Sequence, residues 1–301
     1  MADQSVSIDA FIEQHALPQA YVESARRAFL PLASWLNTQL DRAQGGAYVL
    51  GINGAQGTGK STLAALLADV MGGTYDRRVA ILSIDDLYMT RTEREVLATK
   101  VHPLLRTRGV PGTHDVALGL SLIRQLTLLG DAESVQVPRF DKSTDDRAPA
   151  SCWDRIEGPL DLIILEGWCV GSVPCDVAAL QEPINSLERD EDPEGIWRHY
   201  VNQKLTTDYQ ALFDLLDDLV FLRAPDFEVV HEWRLKQEQK LRTSVGAGGT
   251  AIMSDADVAR FIQHYERITR ANLAGLSERS AVAIELDRSH AAVSLVYQQE
   301  S

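Results

Sequence analysis

Short, continuous apolar runs recur along the chain at 47–53, 79–82, 162–165, 219–222 and 281–284. Runs of this length without polar alternation predict strands buried on both faces, and the helical patterns between most of them predict crossover connections. Alternation of that kind implies an α/β fold: a parallel central sheet with helices on both faces, ligands gathering at the carboxyl ends of the strands. Ahead of the first run, Tyr21, Val22, Ala25, Phe29, Leu32, Trp35, Leu36 and Leu40 recur at three-to-four spacing over 18–43. They predict an amphipathic helix interrupted at Pro31, and so a helical N-terminal extension over 1–46 on a single core over 47–301. The acidic, apolar-poor stretch 185–195 reads as a solvated loop. Over 231–242, two arginines and two lysines fall on a helical pattern, which suggests a mobile lid around 228–250. Gly246-Ala247-Gly248-Gly249 reads as its flexible end, because no strand precedes these glycines and no Lys-Ser/Thr follows.

The first strand runs straight into Gly54-Ala55-Gln56-Gly57-Thr58-Gly59-Lys60-Ser61, which fits G-x-x-x-x-G-K-[ST], and Thr62 continues into a helical pattern. Strand, glycine loop and helix in this order form a phosphate cradle. The glycines let successive N–H groups curl around a β-phosphate, and the helix start adds the positive end of its dipole. Lys60 is placed to reach β- and γ-oxygens and Ser61 to bind Mg²⁺.

Bulk properties narrow the partners. The 301 residues are 45% hydrophobic and 24% charged, with a formal net charge of −14. Phosphate affinity must then come from a local cluster, which argues against nucleic acid as the main partner. No apolar run approaches the roughly 20 residues needed to cross a bilayer and the N-terminus has no signal-peptide pattern, so a cytoplasmic protein without a membrane partner is expected. Cys152, Cys169 and Cys175 form no CxxC pair and read as reduced thiols.

Acids stand at two further strand ends. Ser83-Ile84-Asp85-Asp86-Leu87-Tyr88 follows the second run. Asp85 is preferred over Asp86 as the base for an acceptor hydroxyl, since a loose phosphoryl-transfer transition state needs its proton removed only late, and capping of the next helix is the alternative for one of the two. Glu166 closes the third run in the position of a Walker B carboxylate, where it could hold Mg²⁺ directly or through water. Arg108, Arg139, Lys142 and Arg147 lie in two loops between these elements and are candidates for an anionic acceptor; Asp86, Tyr88 and His114 share those blocks. Trp168 is a candidate wall, and Arg234 in the lid a candidate clamp on the moving phosphoryl group.

Taken in order, these blocks, with Arg108-Gly109-Val110-Pro111-Gly112-Thr113-His114-Asp115, Pro138-Arg139-Phe140-Asp141-Lys142, Trp233-Arg234-Leu235-Lys236-Gln237-Glu238 and Met253-Ser254-Asp255, resemble the P-loop kinases of small metabolites. That group includes uridine kinase, pantothenate kinase and phosphoribulokinase, and the nearest likeness is to plant-type D-glycerate 3-kinases. The resemblance implies the three-layer P-loop fold, ATP and Mg²⁺ as cofactors, and a small hydroxy acid as acceptor, with Asp85 as base and Arg234 in the lid. Leu87 stands where relatives often carry Phe, and the lid lacks the RxxRD form of uridine kinases, which argues against a nucleoside. A kinase for pantothenate, or a nucleotide-dependent switch or metallochaperone, stays open, although the chain has no NKxD segment for guanine.

Overall fold

The computed structural model describes residues 7–245 and 254–298. Gly246-Ala247-Gly248-Gly249 and Met253 therefore lie outside the described residues. Among the described residues ten strands run in chain order as β1 (Tyr48–Gly54), β2 (Val79–Ser83), β3 (Ser134–Val137), β4 (Phe140–Asp141), β5 (Asp146–Arg147), β6 (Asp154–Glu157), β7 (Leu162–Gly167), β8 (Asp218–Arg223), β9 (Val282–Leu286) and β10 (Ala292–Tyr297). The main sheet has the order β10-β9-β8-β1-β7-β2. All of its pairs are parallel except β9 with β10. The five strands expected from apolar runs are β1, β2, β7, β8 and β9. The edge strand β10 carried no comparable signal, because Ala292-Val293-Ser294-Leu295-Val296-Tyr297 mixes buried and exposed positions.

Side-chain alternation along the strands builds the three layers. Leu50 and Ile52 of β1 and Ile164 of β7 point to one face, where they form a core with the helix Lys60–Tyr75 and the N-terminal helices. Val49, Ile163 and Phe221 point the other way, against the helices Val116–Thr127, Ile196–Thr206 and Asp255–Gly275.

The N-terminal segment contains the helices Ile8–Gln14, Tyr21–Ser24 and Leu30–Arg42, with a π turn at Ala25–Phe29. The interruption expected at Pro31 falls just before it. Proline has no N–H to donate into the preceding turn, and Leu30 N–H reaches back to Ala25 O, one residue further than an α-helix allows.

The solvated-loop expectation for 185–195 is corrected. Ser186–Glu191 is a helix, and both Glu188 and Asp192 are 1% exposed. Glu188 pairs with Arg267 at 2.5 Å and Asp192 with Arg198 at 3.0 Å. Composition registers the acids but not the arginines that compensate them, one of which lies on the distant helix Asp255–Gly275. Among the described residues no helix is long and apolar enough to cross a membrane.

Strand register aligns the site. Asn53 of β1 stands opposite Gly167 of β7, and Ser83 of β2 opposite Glu166. The phosphate loop, Glu166 and the segment that begins at Ile84 therefore leave the sheet at one level.

Candidate active site

The loop after β1 leads into the helix Lys60–Tyr75 through Gly59, whose φ of 86° is left-handed. Gly57 has φ 84°, and a Cβ there would lie 2.8 Å from Cβ of Trp233, on the helix Phe227–Val245. The expected lid helix thus packs directly on the phosphate loop. Thr58 Oγ1 donates to Ala55 O at 2.8 Å and closes the loop internally. Ser61 Oγ donates to Glu166 Oε1 at 2.9 Å. Glu166 is 5% exposed, and its Oε2 has no hydrogen-bond partner among the described residues. A bare carboxylate oxygen beside a hydroxyl at the end of a phosphate loop is the hard-oxygen donor set that Mg²⁺ takes with substrate phosphates, so these residues fit the ion.

Asp85 sits in the short 3₁₀ turn Ile84–Leu87, its N–H held by Ser83 Oγ at 3.3 Å. Both of its oxygens are engaged: Tyr88 O–H donates to Oδ1 at 2.6 Å and Lys142 Nζ to Oδ2 at 2.7 Å. Burial pushes the carboxyl up, but the charges of Lys142 and Lys60 and the hydrogen bonds from Lys142 and Tyr88 together outweigh it and bring the pKa down to about 2. Asp85 thus feels both the phosphate-loop lysine and a lysine of the β4–β5 hairpin. Asp86 faces away from this space. It accepts from Arg139 Nη1 at 2.6 Å and from Phe140 N–H at 3.0 Å, and so anchors the β4–β5 hairpin. Neither acid caps the next helix, Arg91–Lys100, which has its own box from Thr90 and Glu93.

The remaining acceptor candidates separate by surroundings. Arg108 pairs with Asp145 and lies 5.5 Å over the Phe140 ring. Arg139 pairs with Asp154 as well as Asp86. Arg147 donates to Tyr88 O at 3.1 Å and to Asp115 at 3.2 Å. A salt bridge is the alternative to acceptor binding for each of these cations, and in the fold Arg139 and Arg147 tie loops together. Tyr88 stacks on His114 with ring centroids 4.7 Å apart, and His114 Nδ1 lies 2.5 Å from Tyr209 Oη. Burial lowers the His114 pKa to about 4 against the opposing pull of the Asp85 charge. Trp168 is 3% exposed, meets Tyr265 edge-on at 4.8 Å, and donates from Nε1 to Gly109 O at 2.8 Å. Of the two readings of Trp168, acceptor wall or simple packing, the geometry displays the packing contacts: the indole holds the Gly109 loop from inside the core.

Tyr265 is the residue that sequence reasoning missed. It lies in the amphipathic helix Asp255–Gly275 with no motif around it. Its hydroxyl donates to Arg108 O at 3.2 Å, and Gly109, at φ 128°, would place a Cβ 2.0 Å from that oxygen. Burial raises the Tyr265 pKa, Asp85 adds to the rise, and Arg108 and Arg234 oppose it. Arg234 itself leans over Phe261 at 5.9 Å. Asp85, Arg108, Arg234 and Tyr265 therefore share one electrostatic neighbourhood. The side chains of Gln237 and Glu238, further along the helix Phe227–Val245, lie outside the described residues.

A polar cleft of about 550 Å³ runs along the phosphate loop from Gly57 to Thr62, walled by Trp233, Lys236, Arg288 and His290. A larger groove of about 950 Å³ beside the helix Val116–Thr127 contains none of Lys60, Asp85 or Glu166, and its size reflects an open surface rather than a site.

No protein-family model matches the chain. An uncharacterised kinase of Schizosaccharomyces pombe is 37% identical over 233 residues, which are 74% of this chain and 80% of that protein. The chloroplastic D-glycerate 3-kinase of Arabidopsis thaliana is 33% identical over 250 residues, 80% of this chain but 51% of the plant protein, so the chain spans about half the length of that relative. The solved D-glycerate 3-kinase of Cryptococcus neoformans superposes with a TM-score of 0.76 at 27% identity, over 90% of this chain and 99% of the fungal one.

Proposed function

The chain belongs to the P-loop kinases of small metabolites, and from that premise we propose that it phosphorylates D-glycerate, converting it with ATP to 3-phospho-D-glycerate and ADP. The observation that carries the reading is Asp85: one carboxylate electrostatically coupled to Lys60 of the phosphate loop and hydrogen-bonded to Lys142 of the facing loop. A phosphoryl donor on the Lys60 side and an anionic alcohol on the Lys142 side would meet at this carboxylate. An acid near pKa 2 is a weak base, which suits a loose transition state that asks for little nucleophile activation until late.

In the proposed step the acceptor oxygen attacks the γ-phosphorus as the bond from that phosphorus to the β–γ bridging oxygen breaks. Its proton passes to Asp85, and ADP leaves with the bond's electron pair. Lys60 and the amides of Gly54, Ala55, Gln56, Gly57, Thr58 and Gly59 bind the β- and γ-phosphates, with Thr62 continuing the helix start. Ser61 and Glu166 would hold Mg²⁺, which supplies charge neutralisation between those phosphates when bound. Arg234 offsets charge on the transferring group from the lid. Lys142 and Arg108 receive the acceptor's carboxylate.

ADP release by purified protein with ATP and Mg²⁺, compared across D-glycerate, L-glycerate, pantothenate, uridine and no acceptor, tests the proposal. D-glycerate should raise the rate well above the no-acceptor control and above every other acceptor. A rate that D-glycerate does not change removes it as substrate.

A further inference from the structure

Two cavities of different character meet at the start of the helix Lys60–Tyr75. The polar cleft already described holds Lys60, Lys236 and Arg288. The second, of about 230 Å³, shares Gly59, Thr62, Ser289 and His290 with it and opens on the side facing the N-terminal segment. Its walls are mainly apolar: Leu286 at the end of β9, then Leu17, Pro18, Tyr21 and Phe29. At this size it is smaller than the roughly 300 Å³ of a pocket for a whole drug-sized ligand, but it has room for one flat ring system. The recess begins at Gly59 and Thr62, where it is continuous with the cleft along the phosphate loop, so a nucleotide with its phosphates in the loop has a path for its base into it.

The Tyr21 ring is fixed within an aromatic row, 6.3 Å from Phe11 and 5.4 Å from Phe29 between centroids. Its hydroxyl is buried and has no hydrogen-bond partner among the described residues. A buried hydroxyl normally finds a partner, and one left without it beside a cavity marks where a ligand atom would complete the bond. The segment is anchored rather than loosely laid on: Ala292 N–H of β10 donates to Ser24 Oγ at 2.9 Å. The opposite wall is equally set. His290 holds a left-handed φ of 70° and stacks on Trp233 at 4.0 Å, while Asp287 Oδ1 accepts from Ser289 and Ala291 N–H at 2.7 and 3.0 Å.

We propose that the N-terminal segment around Leu17, Pro18 and Tyr21 completes the nucleobase site, with a purine ring inserted between this segment and the Ser289-His290 turn and the Tyr21 hydroxyl donating to a ring nitrogen. The inference rests on the nucleotide half of the function proposed above and is independent of the acceptor. It gives the helical extension a part in binding ATP, although the extension lies outside the strand–loop–helix unit that holds the phosphates.

Calorimetry with Mg²⁺ separates base from phosphate by using two ligands, ADP and inorganic tripolyphosphate, on the full chain. Tyr21→Phe removes the hydroxyl alone and should weaken ADP roughly three- to tenfold, the range for one net hydrogen bond. Ala20→Trp adds bulk at an exposed position lining the recess and should weaken ADP by more than about tenfold. Tripolyphosphate should bind both variants as it binds the parent protein, which also shows that the phosphate loop is intact. ADP affinity unchanged in both variants overturns the proposal, as does an equal loss for the two ligands. A parent protein that binds ADP but phosphorylates no acceptor would refute the glycerate reading while leaving this one standing; one that binds neither ligand would refute both.

Discussion

Replacing Glu166 with Gln separates the metal role of this residue from its part in the fold. The side chain is 5% exposed, Oε1 accepts from Ser61 at 2.9 Å, and Oε2 has no partner among the described residues. Glutamine keeps the shape and can keep the Ser61 bond, but it removes the charge that Mg²⁺ would meet. A buried carboxylate oxygen left without a partner costs about 1–3 kcal/mol, so the unliganded variant should be at least as stable as the parent. The nucleotide-bound state should lose what the metal contributes. Disturbing a residue that organises a bound metal typically costs roughly 10- to 100-fold in affinity, which is about 1.4–2.7 kcal/mol of ligand-linked stability at saturating nucleotide. At about 2–4 °C per kcal/mol, the rise in Tm produced by Mg²⁺ and ADP should shrink on the order of 3–10 °C. Thermal unfolding with Mg²⁺ plus ADP, with ADP plus chelator, and without ligand measures each part. A Glu166→Gln protein that keeps the full Mg²⁺-dependent rise would refute the metal assignment. One that is several kcal/mol less stable without ligand would show that the carboxylate is needed by the fold itself.

Four further outcomes follow from the geometry. Asp85→Asn should lower turnover by about 10²–10⁴, as for loss of a general base, while ADP affinity in calorimetry stays close to that of the parent; near-normal turnover would remove Asp85 from that role. Lys142→Gln removes the larger of the two charges that hold the Asp85 carboxyl near 2, together with the ammonium's hydrogen bond, leaving burial opposed by Lys60 and the Tyr88 hydrogen bond. The ionised carboxylate is the working form, so the acid limb of kcat/KM should move up by about one pH unit or more, and superimposable limbs would contradict the coupling. Gly109→Ala puts a Cβ 2.0 Å from Tyr265 Oη at a φ of 128°, and urea unfolding should register a loss of at least about 2 kcal/mol, whereas a loss within experimental error would mean the loop path is wrong. Burial lowers both His114 and His264 to about 4, so their ordinary unfolded values lie higher. Their contribution is intact above about pH 6.5 and is lost as pH falls toward 4, by about 2 kcal/mol per histidine between pH 7 and 5; equal urea stability at those two pH values would refute it.

What was legible in the sequence was what local pattern encodes. Five strands announced themselves as apolar runs, and the phosphate loop by spacing between a strand and a helix. The edge strand β10 did not, because Val293, Val296 and Tyr297 are exposed and its pattern fits neither a buried run nor clean alternation. Contacts made across long separations were equally silent. Nothing near Glu188 in sequence indicates that Arg267 neutralises it, and Asp85 and Asp86, adjacent and chemically identical, differ because Lys142 and Tyr88 meet one while Arg139 and the Phe140 N–H meet the other. Tyr265 entered the site by standing on the face of a helix that the Gly109 loop crosses, and the turn Asp287-Arg288-Ser289-His290 by following the last parallel strand. Neither has a local signature, since each depends on which elements the fold brings together.

The γ-phosphoryl group goes to an alcohol of a small hydroxy acid rather than to water. Phosphorus NMR of purified protein incubated with ATP, Mg²⁺ and D-glycerate tests it most directly. A phosphomonoester resonance assigned to 3-phospho-D-glycerate should grow in step with ADP and vanish in the Asp85→Asn protein. ADP accumulating with inorganic phosphate alone, at the same rate with and without D-glycerate, would contradict the account.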